Sequence, residues 1–205
     1  MGLNQADADP QQTSRFRIWI VPGLILIGAL LLELSGDAGR ELLRYDRTAI
    51  AGGELWRLIS GHVAHLGWSH FALNAVGMLL IFYLVGDRFS PASWLLACLF
   101  IALGIDLGFW LLEPQLIWYV GLSGLLHGCF AAGAVDGLRH RRFEEMLMAG
   151  LLVLKLAYEQ FAGPLPGSEN TAGGNVVVAA HLYGAIAGFL IGALLLFRKP
   201  TAAPI

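Results

Sequence analysis

The chain has 205 residues, 57% hydrophobic and 14% charged, with a formal net charge of −2 and a mean hydropathy of +0.65. Soluble domains carry nearer a quarter charged residues. The composition therefore excludes an ordinary soluble globule, and with no basic stripe carrying interleaved aromatics no nucleic-acid partner is expected. Several apolar runs approach the roughly twenty residues that cross a bilayer, so the expected fold class is an all-α polytopic membrane protein in one domain. Cys98 and Cys129 fall inside predicted spans and are expected to be buried thiols rather than a disulfide framework. The 26 glycines predict close helix contact through small residues.

Residues 1–14 are polar and expected to form a loose tail ahead of a membrane domain at 15–199 and a short tail at 200–205. Arg15 and Arg17 precede a first span predicted from Ile18 to about Leu34. Basic residues before an apolar run can mimic a signal peptide, but the run's length and the spans that follow predict an uncleaved helix. Gly36 to Ser69 is a long connection, too polar to span. Within it Leu55, Leu58 and Ile59 share a helical face beside Trp56 and Arg57, which predicts an interfacial helical loop anchored at headgroup level.

The second span is predicted from His70 to Val85, with His70 and Asn74 one turn apart. The third runs from Ser93 to Leu112 and holds Asp106; the fourth runs from Leu116 to Leu138. The fifth runs from Glu145 to Phe161 and holds Lys155; the sixth runs from Val176 to Phe197. Asp106 and Lys155 read as structural polar residues, paired with each other or, for Lys155, with Glu159 one turn away. Arg139, Arg141 and Arg142, the terminal Arg198 and Lys199, and Arg15 and Arg17 fall on one side of six spans. That places both termini in the cytoplasm, although Arg40, Arg44, Arg47 and Arg57 then lie in an outside loop.

Polar groups at membrane depth face the protein interior or a wet cavity and are functional candidates. Ser123, read as lying inside the fourth span, and His181, inside the sixth, start at comparable depth to His70 and Asn74, because all three helices enter from the outer side. Gly124, Gly128 and Ala132 are spaced by four, as are Gly184, Gly188 and Gly192. Two such smooth stripes bring the Ser123 and His181 helices within reach. Serine becomes a nucleophile when a base takes its proton, and histidine is the usual base. His70, Asn74 and the Ser123 backbone N–H are donors suited to an oxyanion. No acidic residue is expected at the depth of His181, which predicts a dyad without a third member.

At these residues the chain resembles the rhomboid intramembrane serine proteases. The matching motifs are Trp56-Arg57, His70-x-x-x-Asn74, Gly121-x-Ser123-Gly124 and Ala180-His181-x-x-Gly184-x-x-x-Gly188. The resemblance implies a six-helix rhomboid-like bundle with Ser123 as nucleophile, His181 as base and His70 with Asn74 as the oxyanion site. It also implies cleavage of membrane-anchored proteins near the outer membrane face. Gly121, Gly124 and His127 would line the site, with Gly128, Gly184 and Gly188 packing the helices. Many rhomboids carry Tyr four residues after the serine, stacked on the catalytic histidine, where this chain has His127. The run Ser123 to Gly128, the segment Tyr45-Asp46-Arg47 and the bare size resemble the rhombosortase subgroup. That subgroup implies a substrate with a C-terminal Gly-Gly motif, an apolar helix and a basic end, in a bacterial inner membrane.

Two other readings compete: a non-catalytic rhomboid-like protein that binds transmembrane helices, and a proton-coupled transporter relaying through His181, Asp106 and Lys155. No inverted repeat supports the transporter. The absence of His-Glu-x-x-His removes a zinc protease. His62 and His65 are expected as loop or interface residues, and no metal or cofactor is expected.

Overall fold

The computed structural model describes residues 16–140 and 143–197. Arg15, Arg141, Arg142, Arg198, Lys199 and the tails 1–14 and 200–205 lie outside the described residues, as does the side chain of Arg139. In chain order the elements are α1 (Ile20–Leu34), α2 (Gly36–Leu43), β1 (Tyr45–Asp46), α3 (Arg47–Ala51), α4 (Arg57–Ser60), α5 (Trp68–Val85) and α6 (Pro91–Leu112). They continue with β2 (Trp118–Tyr119), α7 (Ser123–His140), α8 (Phe143–Ala162), α9 (Ser168–Ala172) and α10 (Val178–Phe197). Each expected span appears as a helix. Among the described residues α5 with its short 3-10 extension, α6 and α10 are each long and apolar enough to cross a membrane, while α1 and the Ser123–Val135 part of α7 are shorter apolar helices. α8 carries Glu144, Glu145, Lys155 and Glu159 along its length.

The helix ends follow local chemistry. Ser90 accepts from the Ser93 N–H at 3.2 Å and Pro91 occupies the first turn of α6, where proline's missing N–H costs nothing. Asp46 caps α3 by accepting from the Thr48 and Ala49 N–H groups, each at 3.1 Å. The Ala49 N–H bond is the leading cause that holds its carboxyl below the usual carboxylate range.

α7 sits at the centre, packed against α10, α5, α6 and α8. Its contact with α10 is made by the two small-residue stripes. A methyl group added at Gly184 would run into the Gly124 carbonyl, and one at Gly188 into the Gly128 carbonyl. One at Gly192 would stand 2.7 Å from the Ala132 carbonyl oxygen. The backbones therefore touch wherever the stripes align, as their spacing predicts. Below the site a core of Met78, Phe82, Trp94, Ile101 and Ile105 is fully enclosed, and the Trp94 indole donates to the Gly86 carbonyl at 2.9 Å. Large apolar side chains such as Val76, Leu111, Leu154 and Leu194 point outward, as lipid-facing positions should.

The stripe can be tested by substitution. Gly188→Ala gains up to about 1 kcal/mol of helix propensity, but a backbone carbonyl cannot step aside for the new methyl. Overpacking of about 1–3 kcal/mol should win. Thermal unfolding in detergent should drop by several degrees for Gly188→Ala. Gly23→Ala, which meets nothing within 4 Å, should hold or raise the midpoint. Equal midpoints for both variants would remove the close-contact account.

The first loop corrects one expectation. Trp56 is half exposed, as an interfacial residue should be, but Arg57 is buried. Its guanidinium donates to the Glu41 and Arg44 carbonyls at 2.9 and 3.0 Å and to Glu54 Oε2 at 2.7 Å. Arg57 thus satisfies carbonyls left open where α2 ends and ties the loop together, instead of reaching headgroups. Cys98 and Cys129 are free, buried and side by side, with sulfurs 3.7 Å apart.

Candidate active site

The segment before Ser123 is extended, not helical, and the fourth span accordingly starts at Ser123 instead of Leu116. β2 pairs antiparallel with β1, Tyr45 opposite Tyr119 and Asp46 opposite Trp118. The Arg47 N–H donates to the Ile117 carbonyl at 2.8 Å. The Tyr119 hydroxyl donates to the Gly121 carbonyl at 2.6 Å, and the Gly121 N–H to the Gly61 carbonyl at 3.1 Å. Gly121 itself has φ +143°, a conformation open to glycine and strained for other residues. A methyl there would also stand 3.3 Å from His70 Cε1. Ser123 therefore sits on the first turn of α7, where backbone N–H groups have no partner within the helix and the dipole is positive. Its depth in the bundle comes from the strand that delivers it, not from a preceding turn of helix.

The α7–α10 contact then places His181. A methyl at Gly124 would stand 2.9 Å from the Ala180 carbonyl oxygen. With the backbones that close, His181 Nε2 lies 2.9 Å from Ser123 Oγ. The imidazole is buried, and its other nitrogen, Nδ1, lies 2.9 Å from Glu159 Oε2. An ionised carboxylate only accepts, so Nδ1 carries the proton and Nε2 offers its lone pair to the serine O–H.

Glu159 corrects the expectation of a site without an acidic group. It is 2% exposed, and its Oε1 pairs with Lys155 Nζ at 2.7 Å. Lys155 thus keeps the partner one turn away, while Asp106 takes a different one: His62 Nε2 at 3.2 Å, both side chains buried. His62 and His65 are loop residues as expected, yet both are enclosed. Burial first, and the neighbouring His70 second, push His65 down to about 3, so it stays neutral.

His127 stacks on His181, ring centroids 4.1 Å apart at 17°, and its Nδ1 lies 2.7 Å from the Ser123 carbonyl oxygen. A carbonyl can only accept, so Nδ1 is the protonated nitrogen of His127. On α5, His70 and Asn74 are both buried on one face. The Leu66 N–H donates to His70 Nδ1 at 3.2 Å, which leaves Nε2 as the proton-bearing, donating nitrogen. Asn74 Nδ2 is enclosed with no hydrogen-bond partner among the described residues. Ser123, His181, His127, His70 and Asn74 all line one cavity of about 510 Å³, walled otherwise mostly by apolar side chains of α5, α7 and α8.

His127, Glu159 and His181 bring ligand atoms within 4.8 Å of one another, a donor set that zinc accepts. Here both oxygens of Glu159 are engaged, by His181 Nδ1 and by the Lys155 ammonium, a cation that competes for the same carboxylate.

The Rhomboid domain family matches residues 52–198. The chain belongs to the rhomboid family. A Bacillus subtilis (strain 168) relative named "Putative rhomboid protease YdcA" is 25% identical over 160 residues, 78% of this chain and 77% of the relative. "Rhomboid protease GluP" of the same organism is 26% identical over 180 residues, 84% of this chain and 33% of the relative. "Rhomboid-like protein 11, chloroplastic" of Arabidopsis thaliana is 27% identical over 154 residues, 72% of this chain and 55% of the relative. The chain thus spans about half or less of the longer relatives. This rhomboid is a multi-pass membrane protein and, by its family, a serine hydrolase of peptide bonds.

Sequence reasoning named five polar side chains that line this rhomboid's cavity and gave Glu159 only as a partner for Lys155. A signal for it was present. α8 runs antiparallel to α10, and Glu159 lies three residues before the end of α8 as His181 lies three after the start of α10. At a rise of about 1.5 Å per residue the two share one depth.

Proposed function

We propose that this rhomboid is an endopeptidase with Ser123 as nucleophile and His181 as base, and that it removes the C-terminal anchor of exported membrane proteins in the rhombosortase manner. One observation carries the reading: a serine hydroxyl in hydrogen bond with an imidazole, 2.9 Å long, inside a cavity whose wall holds the unpaired Asn74 amide.

In the reaction His181 Nε2 takes the Ser123 proton as Oγ attacks the scissile carbonyl. The oxyanion of the tetrahedral intermediate accepts from Asn74 Nδ2, His70 Nε2 and the Ser123 N–H. Collapse breaks the C–N bond, and His181 returns the proton to the leaving amine. Water then attacks the acyl-enzyme by the same route in reverse. Gly121 leaves room for the His70 ring and Gly124 lets the α7 backbone meet the Ala180 carbonyl, and stacked His127 limits how far the His181 ring can turn.

The substrate class rests on the resemblance at Ser123–Gly128 and at Tyr45-Asp46-Arg47, the segment that here secures the strand before Ser123. It is a single-pass protein ending in Gly-Gly, an apolar helix and basic residues. A cavity this apolar suits a chain leaving the bilayer, and a Gly-Gly pair unwinds a helix at low cost. The membrane domain covers 15–199 with tails at 1–14 and 200–205. Both termini are cytoplasmic in a bacterial inner membrane, with the site opening outward into the lipid-facing edge of the exported compartment.

The reading is tested by co-expressing the full chain with a tagged exported protein bearing such an anchor. Mass spectrometry of the released protein should find a new C-terminus at or beside the Gly-Gly pair. Release that ignores replacement of both glycines by leucine would overturn the substrate class.

A further inference from the structure

We infer that Glu159 is a positioning residue that makes the serine–histidine pair into a Ser123–His181–Glu159 relay, with Lys155 as its counter-ion. The inference rests on the reading of Ser123 and His181 as nucleophile and base.

Three features of the geometry lead there. First, the two oxygens of Glu159 are divided between two partners: Oε2 meets His181 Nδ1 at 2.9 Å and Oε1 meets Lys155 Nζ at 2.7 Å. Second, the exposures are unequal. Glu159 is 2% exposed, whereas the Lys155 side chain is 29% exposed. A helical i,i+4 ion pair contributes little by itself, and Lys155 borders the same cavity as Ser123 and His181. Burying a carboxylate is costly unless something else uses it. Third, the contact joins α8 to α10 at the nitrogen of His181 that does not face the serine.

The consequence for chemistry is direct. A neutral imidazole has two tautomers, and only the one with the proton on Nδ1 presents a lone pair to Ser123. The Glu159 carboxylate accepts from Nδ1 and so selects that tautomer. When His181 takes the serine proton, an imidazolium forms at a side chain only 6% exposed. A buried cation without a partner is strongly disfavoured, and Glu159 is the anion already in contact with it. Lys155 keeps the resting trio neutral, so the carboxylate remains ionised without drawing the Nδ1 proton away. Stacked His127 holds the His181 ring across its face, and Glu159 holds it at Nδ1.

The experiment uses the purified full chain in lipid bilayers, with an anchored substrate and a fluorophosphonate probe. Glu159→Gln keeps the size and removes the charge. It should lower kcat by roughly 10⁴-fold, the loss known for removal of a triad carboxylate, with KM within about threefold. Fluorophosphonate labelling of Ser123 should slow in parallel. Proton NMR of the wild type should show a far-downfield Nδ1–H resonance that is absent from both His181→Gln and Glu159→Gln. An indifferent kcat and labelling rate in Glu159→Gln would overturn the inference and leave Ser123 and His181 standing. The lack of the downfield resonance in the wild type would overturn it as well, and decides the matter if Glu159→Gln does not fold. A wild type that neither cleaves nor labels at Ser123 would instead sink the underlying reading, and this inference with it.

Discussion

Ser123→Ala should reduce cleavage by on the order of 10⁶-fold, the scale on which a serine peptidase loses its nucleophile. The size follows from what remains. Among the described residues the hydroxyl bonded to His181 is that of Ser123; the Ser168 hydroxyl, also in the cavity wall, donates to the Leu165 carbonyl, and Cys98 and Cys129 are enclosed elsewhere in the core. Water would have to be activated by His181 alone, without a covalent intermediate. Fold should be untouched, because the hydroxyl gives up one hydrogen bond worth about 1 kcal/mol. Two measurements check the outcome: release of a tagged substrate from membranes, and covalent labelling by a fluorophosphonate. Equal release by Ser123→Ala and the native chain would end the account of this protein as a serine protease of its own substrates. Retained labelling in Ser123→Ala would point to another nucleophile.

Asn74→Ala should lower kcat by on the order of 10²–10³-fold, the loss measured when one oxyanion donor is removed. Nδ2 of Asn74 has no partner in the resting site, so removing it breaks no donated bond in the ground state. Its contribution appears only when an oxyanion forms, which is the condition for an effect on kcat with little on KM. His70→Ala should behave differently. It removes a donor and also strips the Leu66 N–H of its acceptor, leaving a partly buried donor unpaired at a cost of about 1–3 kcal/mol. Thermal midpoints measured with the kinetics separate the two: Asn74→Ala slow but as stable as the native chain, His70→Ala slow and less stable. Full activity in both variants would disprove the oxyanion assignment.

The corrections to the sequence reading share one physical origin. Ser123 was expected inside a helix because residues 116–122 are as apolar as a span; hydropathy cannot distinguish a buried strand from a buried helix. The β1 pairing and the φ of Gly121 decided for the strand. Arg57 was expected at the headgroups because arginine beside tryptophan is common there; the open carbonyls of α2 claimed it. Of the two pairings that the sequence leaves open for Lys155, the one with Glu159 forms, and Asp106 meets the buried loop residue His62. For Ser123 and Arg57 a contact distant in sequence overrode a local pattern.

Periodicity and spacing determined the existence of six apolar helices, the two glycine stripes and the shared depth of Ser123, His181, His70 and Asn74; His127 entered through the family resemblance. The helices, the stripes and the shared depth depend only on apolar run length and on residues repeating every turn, which the chain carries locally. The tertiary structure alone decided which nitrogen of His181 faces the serine, that Glu159 stands behind it, and that a strand rather than a helix presents Ser123. Those outcomes depend on how α8 and the first loop pack against α7 and α10, and a linear chain does not encode the angle between two rods in any single stretch.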